Sequence, residues 1–146
     1  MSNKKLLIIG GEGFIGKNIA NKAILKGYDV TVIRFQQTSK NIKQSYDVFS
    51  CDILDIRKLS LFLQSRDFNY IINCSGYIDH TPFSNGGRDI VEQHFTGVVN
   101  IVEYIKRDKL KAFIQLGSSD EYGVNQAPQF EEQRELSIYL QFLLFF

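Results

Sequence analysis

The chain is poor in the residues that announce a specialised chemistry. It holds only two cysteines and two histidines in 146 residues. Cys51 and Cys74 fall in or beside expected strands, with neither metal-ligand spacing nor a disulfide-rich setting, so they read as buried free thiols. His80 and His94 lack the partners that a metal centre or a catalytic dyad needs, and read as ordinary surface or core residues. No metal site is expected. Seventeen basic against sixteen acidic side chains leave a net charge of +1, and no block of like charge is present to draw nucleic acid or an anionic membrane. Long apolar runs are missing from the start: Leu6–Ile9 is four residues long before Gly10, too short for a signal-peptide core or a membrane span. The expected location is the cytoplasm. No repeat or low-complexity linker interrupts the chain, and a 44% hydrophobic content suits one soluble domain with a core of its own.

What the chain does have is glycine in one place. Residues 10–16 read Gly-Gly-Glu-Gly-Phe-Ile-Gly, after Leu6-Leu7-Ile8-Ile9 and before 17–26, where Ile15, Ile19, Ala23 and Ile24 recur at helical spacing. Strand, glycine turn and helix in that order form a phosphate cradle. Gly10 takes the tight turn, Gly13 admits a diphosphate to the main chain, and Gly16 lets the helix lie close on the sheet. The helix N-terminus supplies unpaired N–H groups and the positive end of its dipole. A plain glycine turn is the competing reading, and the order of the flanking elements favours the nucleotide.

Short β-branched runs then alternate with amphipathic stretches, as in a doubly wound α/β fold with a parallel sheet of about five strands. Gly27 closes the first helix. Strands are expected over 28–33, 46–49, 70–74 and 111–116, with a helix over 55–65 carrying Ile56, Leu59, Phe62 and Leu63 on one side. A long helix is expected over 89–107, where Val91, Phe95, Val98, Val102 and Ile105 step by three and four. Ligands of such sheets bind beyond the carboxyl ends of the strands. Gly10 to Gly13, Arg34, Asp52, Ser75-Gly76 and Ser118-Ser119 all fall at those ends.

Arg34 closes the second strand, where a nucleotide-binding fold keeps its ribose reader. An acid there binds the 2′-hydroxyl of NAD; an arginine offers a fork for a 2′-phosphate, which favours NADP, with a solvated surface arginine as the alternative. Asp52 could accept from an adenine amino group or cap the helix that follows. Ser119-Asp120-Glu121-Tyr122-Gly123 offers a hydroxyl donor and two carboxylates at a strand end, as a polar loop also would.

Taken together these stretches resemble the extended short-chain dehydrogenase/reductase family, the NAD(P)-dependent epimerases and dehydratases of nucleotide sugars. The resemblance runs from Lys4 to about Arg134 and rests on Gly10 to Gly16, Asp52-Ile53, Gly97-Val98-Val99-Asn100 and Ser118 to Gly123. It implies a Rossmann-type sheet in the order 3-2-1-4-5. It also implies a cofactor group of Gly10, Gly13, Phe14, Ile15, Gly16, Arg34, Asp52, Ile53, Cys74, Ser75, Gly76 and Asn100, the last steadying the long helix. Ser118 or Ser119 matches the hydroxyl that bonds the reacting sugar oxygen. Asp120 and Glu121 look like the acid and base of the dehydratase branch, though the segment is one residue shorter before its Tyr-Gly than that pattern.

Two departures stand out: Arg34 replaces the acid common in NAD-using members, and the chain ends early. Tyr139 is the nearest counterpart of the family's Tyr-x-x-x-Lys tyrosine, yet four residues on stands Leu143. Without the lysine's cation, a tyrosine near its ordinary pKa of about 10 is ionised about one part in a thousand at pH 7, a deficit of roughly 4 kcal/mol in having the base ready. The expected organisation is therefore an incomplete dinucleotide-binding domain over 1–138 and an apolar tail over 139–146 that could drive self-association. The function expected is the cofactor half of a nucleotide-sugar epimerase or dehydratase, poorly active by itself. The alternatives are a non-catalytic dinucleotide-binding module or an NADP-reading regulator of the same fold.

Overall fold

The computed structural model describes residues 4–35, 45–76, 83–85 and 87–117. Strands β1 (Lys5–Ile9), β2 (Asp29–Arg34), β3 (Asp47–Ser50), β4 (Tyr70–Asn73) and β5 (Ala112–Gln115) form one sheet. All four pairings are parallel and the order is β3-β2-β1-β4-β5, as the sequence led us to expect. The strand limits move by at most one residue from the expected ones.

β1 is apolar without alternation because it is the central strand of a parallel sheet covered on both faces. Leu6 and Ile8 turn to one side with Val30 and Val32, against Ala20 and Ala23 of helix α1 (Phe14–Leu25). Leu7 and Ile9 turn to the other with Ile33 and Ile71, against Leu59 and Leu63 of α2 (Ile56–Ser65) and Ile101 of α4 (Gly97–Tyr104). Burial of each large side chain contributes about 1.5–3 kcal/mol relative to exposure. These two cores fix α1 on one face and α2 with α4 on the other.

Gly27 takes φ +78° just past α1 and donates its N–H to the Ile24 carbonyl, as a C-terminal cap should. The first-turn positions of α1 differ from the expected stripe: Ile15 is exposed, and Gly16, Ala20 and Ala23 are the buried ones. In α2, Leu59, Phe62 and Leu63 face the core while Ile56 is exposed.

The long helix differs more. It is built of α3 (Arg88–Val91), a π turn over Glu92–Thr96 and α4, and it ends at Tyr104 rather than at 107. The extra residue of a π turn breaks the 3.6-residue phase, so the stripe read from sequence turns outward at Phe95 and Val102, while Ile105 at its end is buried in the core. Phe95, Val99 and Val102 are exposed, and Gly97, Asn100 and Ile101 face the core.

Candidate functional site

At the carboxyl rim of the sheet the chain turns sharply out of β1. Gly10 has φ +73°, a conformation that strains any other L-residue. A methyl group there would also stand 2.8 Å from the Ser75 nitrogen and 2.9 Å from the Cys74 carbonyl carbon, so the turn is pressed against the segment leaving β4. Gly11 is packed equally closely, since its Cβ would meet Val32 at 2.7 Å. Gly16 abuts the turn itself: a Cβ there would stand 2.5 Å from the Gly10 oxygen and 2.6 Å from the Gly11 Cα. Packing explains three of the four glycines.

Gly13 is different. It is the N-cap residue of α1 with extended backbone (φ −68°, ψ 169°), and an added Cβ would meet only the Gly10 oxygen, at 3.3 Å. Nothing else among the described residues calls for glycine there. No side chain caps α1 and no acid lies in its first turn, so no side chain of its own compensates its leading N–H groups and positive dipole end. Phe14 and Ile15 are exposed beside them. A cradle whose one exposed glycine stands at a helix start with no side-chain cap fits the diphosphate of a dinucleotide.

Across the switch between β1 and β4 stands a polar knot. Asn73, last residue of β4 and 1% exposed, accepts from the Ser75 N–H at 3.0 Å and from the Ser75 hydroxyl at 2.6 Å. Its amide donates to Gln115 Oε1 of β5 at 2.8 Å. The knot fixes Ser75 against Gly10 and ties the ends of β4 and β5 together. Sequence reasoning passed over Asn73, although an amide ending the apolar run Tyr70-Ile71-Ile72 was a usable signal. Gly76 follows, with the exposed imidazole of His94 beside it.

Asp52 does not cap α2. Its carboxylate accepts from the Leu54 N–H at 2.9 Å, closing an Asx turn, while Asp55 is the cap and accepts from the Lys58 N–H at 3.1 Å. Ile53 is buried under α4, where Gly97 leaves it room. Cys51 and Cys74 are free thiols. Burial pushes the Cys51 thiol up to about 11, with the Asp55 charge adding to it, and burial raises Cys74 as well.

Arg34 is not a bare cation. Its Nε donates to Ser50 Oγ at 2.9 Å, and its Nη1 lies 3.1 Å and 3.4 Å from the two carboxylate oxygens of Glu12. Glu12, inside the glycine turn, was not singled out from sequence, because only the fold brings it to the end of β2. Tyr46, before β3, lies near both: burial raises its phenol pKa, the Glu12 charge raises it further, and Arg34 opposes.

The structure thus gathers Gly10, Gly13, Gly16, Arg34, Ser75 and Gly76 along one rim. Ser118, Ser119, Asp120, Glu121 and Tyr139 lie outside the described residues, as does the tail over 139–146. Among the described residues no group of three or more His, Cys, Asp and Glu is placed to hold a metal, and no helix is long and apolar enough to cross a membrane.

This chain is 24% identical over 138 residues to UDP-N-acetyl-alpha-D-glucosaminuronate decarboxylase of Bacillus cytotoxicus, covering 91% of this chain and 42% of that protein. Its fold is similar to that of the UDP-Glc/GlcNAc 4-epimerase of Campylobacter jejuni, with a TM-score of 0.77, 18% identity, and coverage of 92% of this chain and 43% of the other. The short-chain dehydrogenase of Leptospira borgpetersenii solved with NAD+ superposes with a TM-score of 0.71 at 22% identity, covering 87% of this chain and 56% of that one. The chain spans 29 to 42% of the length of the curated relatives it matches. Residues 6–140 match the sequence profile of the NAD-dependent epimerase/dehydratase family, and to that family this chain belongs.

Proposed function

We propose that the chain is the nicotinamide-dinucleotide-binding part of an oxidoreductase acting on a nucleotide sugar, working in the cytoplasm, and that these 146 residues bind the dinucleotide while turning substrate over poorly. The observation that carries the reading is Gly13, an open glycine at the uncapped start of α1, with Gly10 and Gly16 packed to hold it there. The diphosphate lies on the N–H groups of that helix start, beside Phe14 and Ile15. Ser75 and Gly76 flank it across the β1–β4 switch, and Asp52 and Ile53 stand toward the adenine. Cys74 and Asn100 act indirectly, through the backbone of β4 and the loop bearing Ile53. A bound nicotinamide would accept a hydride from the sugar and return it.

Family membership supports the remaining roles. Ser118 or Ser119 holds the reacting sugar oxygen, and Asp120 with Glu121 moves protons where water is eliminated. Tyr139 is the base, weakened because Leu143 stands where a lysine would hold its pKa down. The non-catalytic module is the second reading, favoured by that same leucine. The preference for NADP that a bare Arg34 would confer loses its ground, because Glu12 occupies the guanidinium.

Titration of the purified chain with NADH, followed by nicotinamide fluorescence, tests the binding step, and incubation with UDP- and GDP-sugars tests turnover. Saturable binding that Gly13→Val abolishes supports the site. A folded chain that binds neither NADH nor NADPH overturns it.

A further inference from the structure

We propose that Glu12 is the cofactor-selecting residue of this chain: its carboxylate, carried on the glycine turn and set against Arg34, makes the ribose pocket a reader of the free 2′-hydroxyl of NAD(H) and excludes a 2′-phosphate. The inference rests on the dinucleotide reading above. Arg34 ends β2 and is level with Ser50 of β3, and Ser50 Oγ accepts a hydrogen bond from its Nε at 2.9 Å. Glu12 brings both oxygens to within 3.4 Å of Nη1. The side chains are only 17% and 25% exposed, so the pair is partly shielded from water and from salt.

The carboxylate is carried on a rigid support. Gly11 is wedged on Val32, and Gly13 donates its N–H to the Gly10 carbonyl at 3.1 Å, so the backbone on both sides of Glu12 is fixed.

Selection follows from charge. A 2′-phosphate carries about −1.5 to −2 at pH 7 and needs an uncompensated cation. Around Arg34 it meets a guanidinium already neutralised, with a carboxylate in contact that repels it. A 2′-hydroxyl is a donor, and an ionised carboxylate is acceptor-only. NAD readers of this fold keep their acid at the end of β2. Here an arginine fills that position and the acid reaches it from 22 residues upstream, displaced in sequence but adjacent in space.

The test uses the full chain. Wild type, Glu12→Gln and Arg34→Ala are titrated with NADH and with NADPH, and folding is followed by thermal melting. Wild type should bind NADH at least about tenfold more tightly than NADPH, and Glu12→Gln should move the ratio at least about tenfold toward NADPH, the scale of one charge-assisted hydrogen bond. Arg34→Ala keeps the carboxylate and should leave NADPH excluded. Should Glu12→Gln not fold, Glu12→Ser removes the same charge. Wild type preferring NADPH, or a ratio unmoved in a folded Glu12 variant that still binds, overturns the selector and leaves the dinucleotide reading standing. Absence of both dinucleotides from the folded wild type overturns both.

Discussion

The side-chain amide of Asn100, on the buried face of α4, donates to the main-chain carbonyl of Ile53 at 3.0 Å. That bond pins α4 to the loop that follows β3, beneath the rim where the glycine turn lies. Replacing Asn100 by Leu leaves a buried carbonyl unsatisfied and should cost about 1–3 kcal/mol. Urea unfolding of the two proteins checks this, and an unchanged midpoint would remove the amide from the account of the fold.

The glycines of the turn should separate into two kinds. Gly16→Ala drives a methyl to 2.5 Å from the Gly10 oxygen, with no flexible side chain to yield, so the melting temperature should fall by several degrees. Gly13→Ala keeps an allowed backbone and a Cβ contact of 3.3 Å, and should cost less than about 1 kcal/mol in stability while weakening NADH binding at least about tenfold. Equal losses of stability from the two substitutions would contradict the division.

Neither thiol should react readily in the native protein. With the Cys51 pKa pushed up to about 11, its thiolate fraction at pH 8 is about one part in a thousand. Cys74 is raised by burial in the same direction. Iodoacetamide should label both slowly at pH 8 and both promptly in guanidinium chloride, as mass spectrometry will report. Prompt native labelling of Cys51 would place it elsewhere than in the core.

Asp67 receives Lys109 at 2.7 Å and Lys106 at 3.6 Å, linking the segment before β4 to the segment before β5. The hydrogen bond from Lys109 is the main cause that holds the Asp67 carboxyl below its ordinary range. The contribution to stability is therefore present above the unfolded value of about 3.9 and disappears as pH falls through the lower folded value. Asp67→Asn should melt below wild type at pH 7, and the gap should close in strong acid and narrow in high salt. A gap that persists in strong acid would assign the loss to packing.

Much of the architecture was legible because its causes are local. The run Leu6-Leu7-Ile8-Ile9 can only be a strand buried on both faces, and Gly10 and Gly27, both at positive φ, mark turns that other residues would strain. The long helix was legible as a helix but not in its orientation. Phe95 and Val102 read as inward, and the π turn over Glu92–Thr96 let Gly97, Asn100 and Ile101 take the inner face instead. For the site, the glycine turn and the strand ends were readable and the amide of Asn73 left a signal, while Glu12 was not, because it acquires its role from Arg34 at the end of a distant strand.

The sequence alone determined the elements and their alternation, since hydrophobic period and glycine placement act within a few residues of chain, and its family resemblance supplied the order of the sheet. Tertiary structure alone decided the pairing of Arg34 with Glu12 and the seat of the long helix. Glu12 meets Arg34 across 22 residues and Asn100 meets Ile53 across 47, and such pairings exist only once the sheet has brought distant segments together and excluded water from between them.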